Sequence, residues 1–185
     1  MKIYLLLGIF VLTGVSMAAV AKKGTANIGL LPGAGAVHGG QAGLGFTLLG
    51  IKTVPGKNKE VERIVFETGN RSARPLLGQP GYFNVENDPA AHRVVVDFHQ
   101  TLNSKFEERE LKKVFARSSF VRSGQMIFEP QGQMMTLVLD LKKNASIRVI
   151  PVAGTEKRTA SLILDFFDNS VAEKKSAASK IEKAK

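Results

Sequence analysis

One pattern of strand-like runs occurs twice in this chain, and it restricts the fold more than any other feature. Arg63-Ile64-Val65-Phe66-Glu67, Tyr82-Phe83-Asn84-Val85 and Arg93-Val94-Val95-Val96-Asp97-Phe98 form a first set. Thr136-Leu137-Val138-Leu139-Asp140-Leu141, Ser146-Ile147-Arg148-Val149-Ile150 and Ser161-Leu162-Ile163-Leu164-Asp165-Phe166 form a second. Each set holds an apolar run closing on an acid, a middle strand, and an apolar run closing on Asp-Phe. Arg63 and Thr136 lie 73 residues apart, and Arg93 and Ser161 lie 68 apart. Two copies of one all-β unit fit this period, and neither copy alone buries much core.

The ends of the chain speak to location. Lys2 precedes an apolar run over residues 3–15, shorter than the ~20 residues that span a bilayer. Small residues follow at cleavage spacing, so residues 1–21 are expected to be a signal peptide removed after Ala21, leaving no membrane span. The chain has no cysteine, which rules out a lipoprotein anchor, disulfides and thiolate metal sites. A mature chain of roughly 160 residues is long enough to rely on its core instead. These features together point to the bacterial periplasm. The formal charge is +10, and losing Lys2 with the signal lowers it by one to +9. Such a chain favours anionic partners: peptidoglycan, anionic wall polymers, acidic proteins or nucleic acid. Export and the lack of a recognition motif argue against nucleic acid.

From Lys22 to Gly45 the sequence is rich in Gly and Ala and has no acid, which predicts a flexible leader over residues 22–45. A phosphate-loop pattern fails there: Ile51 stands where its lysine is required, and Pro55-Gly56 follow where a helix is required. A β domain is expected over residues 46–168. Its predicted strands are 46–54, 61–68, 82–86, 92–99, 120–128, 134–141, 146–152 and 160–167. In the second of these, Ile64 and Phe66 share one face while Arg63, Val65 and Glu67 share the other. A single helix is predicted over 106–115, with Glu107, Glu108 and Glu110 early and Lys112 and Lys113 late, as the helix dipole favours. It joins the two halves. Residues 169–185 read as a basic solvated tail.

The order of these features resembles the AMIN domain. The resemblance rests on the hydrophobic-Asp-hydrophobic strands Val94-Val95-Val96-Asp97-Phe98, Val138-Leu139-Asp140-Leu141 and Ile163-Leu164-Asp165-Phe166, and on the step Val121-Arg122-Ser123-Gly124-Gln125 between them. It covers residues 46–167. The resemblance implies two packed four-stranded β-sheets and a non-catalytic role. AMIN modules of envelope proteins direct cell-wall amidases and secretins to sites in the periplasm through peptidoglycan. They normally accompany a hydrolase or secretin domain and none follows here, so the chain is expected to target itself or to serve as a separate adaptor. The segment between Phe98 and Phe120 is longer than the family often keeps.

The side-chain inventory points the same way. Of three histidines, His38 falls in the leader, while His92 and His99 are expected on opposite faces of one strand, so no shared metal site and no cofactor are expected. No G-x-S-x-G elbow is present. Asp97, Asp140 and Asp165 could be taken for paired catalytic carboxylates. Their places near strand ends instead predict structural acceptors of backbone N–H groups. Phe66, Phe83, Phe98, Phe128 and Phe166 are expected in the core. With no Trp and only Tyr4 and Tyr82, an aromatic sugar-binding shelf is poorly supplied. The residues left to bind are basic: Arg71, Arg74, Arg93, Arg117 and Arg122. Arginine grips carboxylates with two parallel hydrogen bonds, and peptidoglycan stem peptides carry carboxylates. Arg117, Arg122 and Gln125 cluster at the junction of the halves. The expectation is therefore a periplasmic binding module, not an enzyme, engaging peptidoglycan or a wall-associated complex. The alternative is an accessory component of a secretin, pilus or secretion machine acting by protein contact, with a strand added at a sheet edge.

Overall fold

The computed structural model describes residues 29–43, 45–56 and 61–168. The expected signal peptide, the tail and the first residues of the leader lie outside them. Eleven strands and one helix follow in the order β1 Gly29–Leu31, β2 Gly35–Gly39, β3 Phe46–Pro55, β4 Val61–Asn70, β5 Phe83–Asp88, β6 Arg93–His99, β7 Thr101–Ser104, α1 Glu108–Phe115, β8 Val121–Glu129, β9 Met134–Leu141, β10 Ala145–Val152 and β11 Ala160–Asp168. They build a sheet of order β1-β10-β11-β4-β3-β7 and a second of order β2-β5-β6-β9-β8. The all-β architecture is as expected. The four strands expected per sheet become six and five, because β1, β2 and β7 extend the edges.

Alternation explains the core. Ile64 and Phe66 of β4 and Leu162, Leu164 and Phe166 of β11 point inward from the first sheet. Val94, Val96 and Phe98 of β6 and Met135, Leu137 and Leu139 of β9 meet them from the second. The ring of Phe98 contacts those of Phe46 and Phe66 at centroid distances of 5.6 and 5.7 Å, joining the sheets. Burying side chains of this size contributes roughly 1.5–3 kcal/mol each. Phe128 departs from expectation. It faces inward but is 39% exposed, since β8 is an edge strand and Phe128 lies near its end.

The repeat read in the sequence is present in the topology. Exchanging β3, β4, β5 and β6 for β8, β9, β10 and β11 turns the order β10-β11-β4-β3 into β5-β6-β9-β8. The register obeys the same exchange. Arg63 opposes Asp165 and Glu67 opposes Ser161 in the first sheet, as Thr136 opposes Asp97 and Asp140 opposes Arg93 in the second. Even the irregularities match: β3 bulges against β4 between Leu48 and Gly50, and β8 bulges against β9 between Val121 and Ser123.

Three expectations are corrected by the structure. The three aspartates take partners across the strands rather than backbone N–H groups. Asp165 accepts two bonds from Arg63, at 2.6 and 2.8 Å. Asp97 accepts Thr136 Oγ1 at 2.7 Å, and Asp140 accepts Arg93 Nε at 3.2 Å and Ser123 Oγ at 3.0 Å. The described part of the leader is ordered as β1 and β2, which pair with β10 and β5. Its glycines serve close approach: a Cβ on Gly29 would lie 2.5 Å from Val37 Cγ2. Asn87 Nδ2 holds the β1–β2 turn by donating to the carbonyl of Gly33 at 2.9 Å. His92 sits in the turn before β6 at φ 49°, so strand parity does not set its direction. Among the described residues no helix is long and apolar enough to cross a membrane.

Candidate functional site

The helix α1 closes the sandwich on the β3–β8 side, burying Leu111 and Phe115. Its start is fixed by Glu110, whose carboxylate accepts the backbone N–H of Glu107 at 2.9 Å. Its approach to β8 depends on Gly124: a Cβ there would stand 2.9 Å from the Phe115 ring. The glycine of the Val-Arg-x-Gly-Gln step thus has a packing role.

The turn from α1 to β8 is pinned by a buried acid. Glu62 is 3% exposed and shares the inner face of β4 with Ile64 and Phe66. It accepts the Ser118 hydroxyl on one carboxylate oxygen and the Ser119 backbone N–H, at 2.5 Å, on the other. Ser118 Oγ in turn accepts the N–H groups of Phe120 at 3.2 Å and Val121 at 2.7 Å. Lys142 Nζ donates to the Ser118 carbonyl at 2.6 Å. These bonds fix Arg117, just before the pinned serines, and Arg122, just after.

Two cavities flank α1. One of about 490 Å³ lies between its C-terminal end and the adjoining ends of β3 and β4, and Lys113, Arg117 and Glu62 line it. The other, of about 300 Å³, lies between α1 and β8, and Lys112, Arg122, Ser123 and Lys142 line it. Arg122 is the extra residue of the β8 bulge, which turns its side chain out of the ladder. The equivalent bulge in β3 carries Leu49, half-buried near Gly69. Lys112, Lys113, Arg117 and Arg122 are all exposed, and none makes an ion pair or side-chain hydrogen bond among the described residues. Four uncompensated cations beside two concavities can hold carboxylate or phosphate groups.

Only part of the sequence-predicted set converges here. Arg117 and Arg122 lie on the two flanks of α1. Arg93 is bound to Asp140, which Ser123 also contacts, so it adjoins the smaller cavity as a paired charge. Gln125 is exposed on β8 opposite Val138 and lines neither cavity. Arg71 lines a separate hollow with Gln100 and Gln133. It follows the far end of β4, roughly 30 Å along the strand from Glu62. Arg74 is exposed in the loop beyond β4. Sequence reasoning missed Glu62, Lys142 and the placement of Lys112 and Lys113. Glu62 carried a signal, since its parity places it among Ile64 and Phe66. Among the described residues, no group of three or more His, Cys, Asp or Glu side chains is placed to hold a metal ion.

Arg63, outside this site, has its pKa raised, chiefly by the hydrogen bond to Asp165 and against the opposing effect of burial. No protein-family model matches the chain, and comparison with curated proteins finds no significant match.

Proposed function

We propose that this protein is an exported, non-catalytic binding or targeting module that works in the periplasm and engages peptidoglycan or a wall-associated complex. The observation that carries this reading is a set of four exposed cations with no ion-pair partner among the described residues, Lys112, Lys113, Arg117 and Arg122, beside two cavities that flank one helix. The net charge of +10 and the signal-like first residues support it. So does the resemblance to AMIN domains, whose peptidoglycan ligand carries the carboxylates that arginine grips.

Co-sedimentation of residues 22–185 with protein-free peptidoglycan sacculi across a salt series tests the proposal. Saturable pelleting that persists at about 0.15 M salt is expected, because contacts in a concave site are screened less than exposed ones. Arg117→Ala with Arg122→Ala should reduce it. Pelleting that vanishes at that salt, or that the double variant leaves unchanged, refutes the role of this face.

A second reading has its own observation. The strand β8 is a nine-residue sheet edge, and Ile127 and Phe128 are exposed near its end. An accessory component of a secretin, pilus or secretion machine would receive a partner's strand at such an edge. Binding that requires a protein partner rather than cell wall selects this reading.

A further inference from the structure

The larger cavity has a polarity that a plain anion site lacks. Its inner wall includes Glu62, a buried carboxylate with no cation partner among the described residues. A carboxylate offers about four acceptor positions. Ser118 Oγ and Ser119 N–H take two of them. Val114 and Ala116 bring the C-terminal end of α1 to the same wall, and a helix C-terminus carries partial negative charge. The charged exposed side chains among the described residues on this cavity are Lys113 and Arg117, beside the uncharged Pro55, Ala116 and Ser119. Among the described residues, the charge is thus negative within the cavity and positive at its rim.

From this arrangement we infer that the cavity between α1 and the adjoining ends of β3 and β4 binds a small amino zwitterion, an amino acid or dipeptide. Its ammonium points inward to Glu62 and its carboxylate is held by Arg117 and Lys113. An ammonium supplies the donors that the buried carboxylate lacks, and Arg117 is free to grip a carboxylate with two parallel bonds. A volume of about 490 Å³ falls in the range of small-ligand sites and exceeds what a simple anion needs. The inference shares Arg117 with the proposed binding face and rests on that reading only for Arg117 being available to ligand.

The test is a titration of the isotope-labelled protein, followed by amide chemical shifts, with alanyl-alanine and with leucine. Acetate and methylamine serve as half-ligands. Saturable shifts at Ser119, Arg117 and Val114 are expected with both zwitterions, and far weaker ones with either half-ligand. Arg117→Gln, an exposed change, should weaken the zwitterions by about tenfold, the loss of one charge-assisted contact. Glu62→Gln keeps an acceptor for Ser119 and should weaken the zwitterions while leaving acetate unaltered. Should that variant not fold, Arg117→Gln and the half-ligand comparison still decide. No saturable shift with either zwitterion, acetate binding as well as alanyl-alanine, or no effect of Arg117→Gln each overturns the inference. If dipeptide shifts persist where sacculi fail to pellet, the cell-wall reading falls and this one stands. The converse result overturns this one alone.

Discussion

Arg63→Met should remove more stability than an ordinary strand-surface change, because of what it leaves behind. Asp165 is 4% exposed, and its only hydrogen-bond or ion-pair partner among the described residues is Arg63, through bonds of 2.6 and 2.8 Å. Isolating a buried ion commonly costs about 3–5 kcal/mol. The Arg63 side chain is 44% exposed, so water already screens the pair and the figure must be discounted. A loss of about 2 kcal/mol is the result, and with it a fall in Tm of about 4–8 °C. Asp165→Leu should cost less, since Arg63 can turn into solvent. The double variant should recover to within about 1 kcal/mol of the original protein, as apolar replacement of both partners often does. Urea unfolding followed by far-ultraviolet circular dichroism reads all three. The raised pKa of Arg63 also fixes the sign of the pH dependence. A group whose pKa rises on folding contributes its full stability below its unfolded value and loses it only above the folded one. The difference between Arg63→Met and the original protein should thus stay constant from about pH 6 to 9. Destabilisation under about 0.5 kcal/mol, or a double variant no better than Arg63→Met, would refute the argument.

Other perturbations probe the helix, the bulge and the loops. Arg122→Leu places in the β8 bulge the residue that β3 carries in its own, so stability should change by less than about 0.5 kcal/mol in urea while sacculus pelleting weakens. Phe115→Ala should cost about 3–5 kcal/mol and loosen α1, visible as faster amide exchange from Glu108 to Phe115. Gly154→Ala puts a Cβ 1.9 Å from the Leu76 carbonyl oxygen and should lower stability by at least about 1 kcal/mol in thermal unfolding, because the obstacle is backbone and cannot rotate away.

Strands with an unbroken two-residue period were legible before any coordinates. The predicted strand 134–141 coincides with β9, and β4, β6 and β11 differ only at their ends. Their paired copies also foretold a repeated β unit, which the strand order shows as a two-fold exchange between the sheets. What could not be read depends on partners distant in sequence. The glycines near β1 and β2 argue for flexibility by backbone entropy. Those strands exist because β10 and β5 offer open edges and Asn87 ties their turn. The short polar β7 forms by parallel pairing with β3, a contact no local pattern encodes. In the candidate site, the arginines were visible by type, yet charge alone does not say which end of a strand they occupy. Arg71 and Arg117 therefore looked alike, and the fold separates them.

The pseudo-two-fold frame gives a physical reason to place function on one side of it. Equivalent strands carry equivalent registers, and their cross-strand pairs serve the sandwich in both halves. Where the halves differ, stability of the shared frame does not explain the difference. Beyond β3 the first sheet continues into β7, whereas β8 ends the second sheet and α1 packs against it. At the matched bulges Leu49 is half-buried, while Arg122 is exposed and makes no ion pair among the described residues. A bulge needed only for strand twist would be served by leucine in both places. The charged residue appears on the copy that borders a cavity, beside a helix whose other flank carries Lys113 and Arg117. Binding is therefore best sought where the repeat is broken.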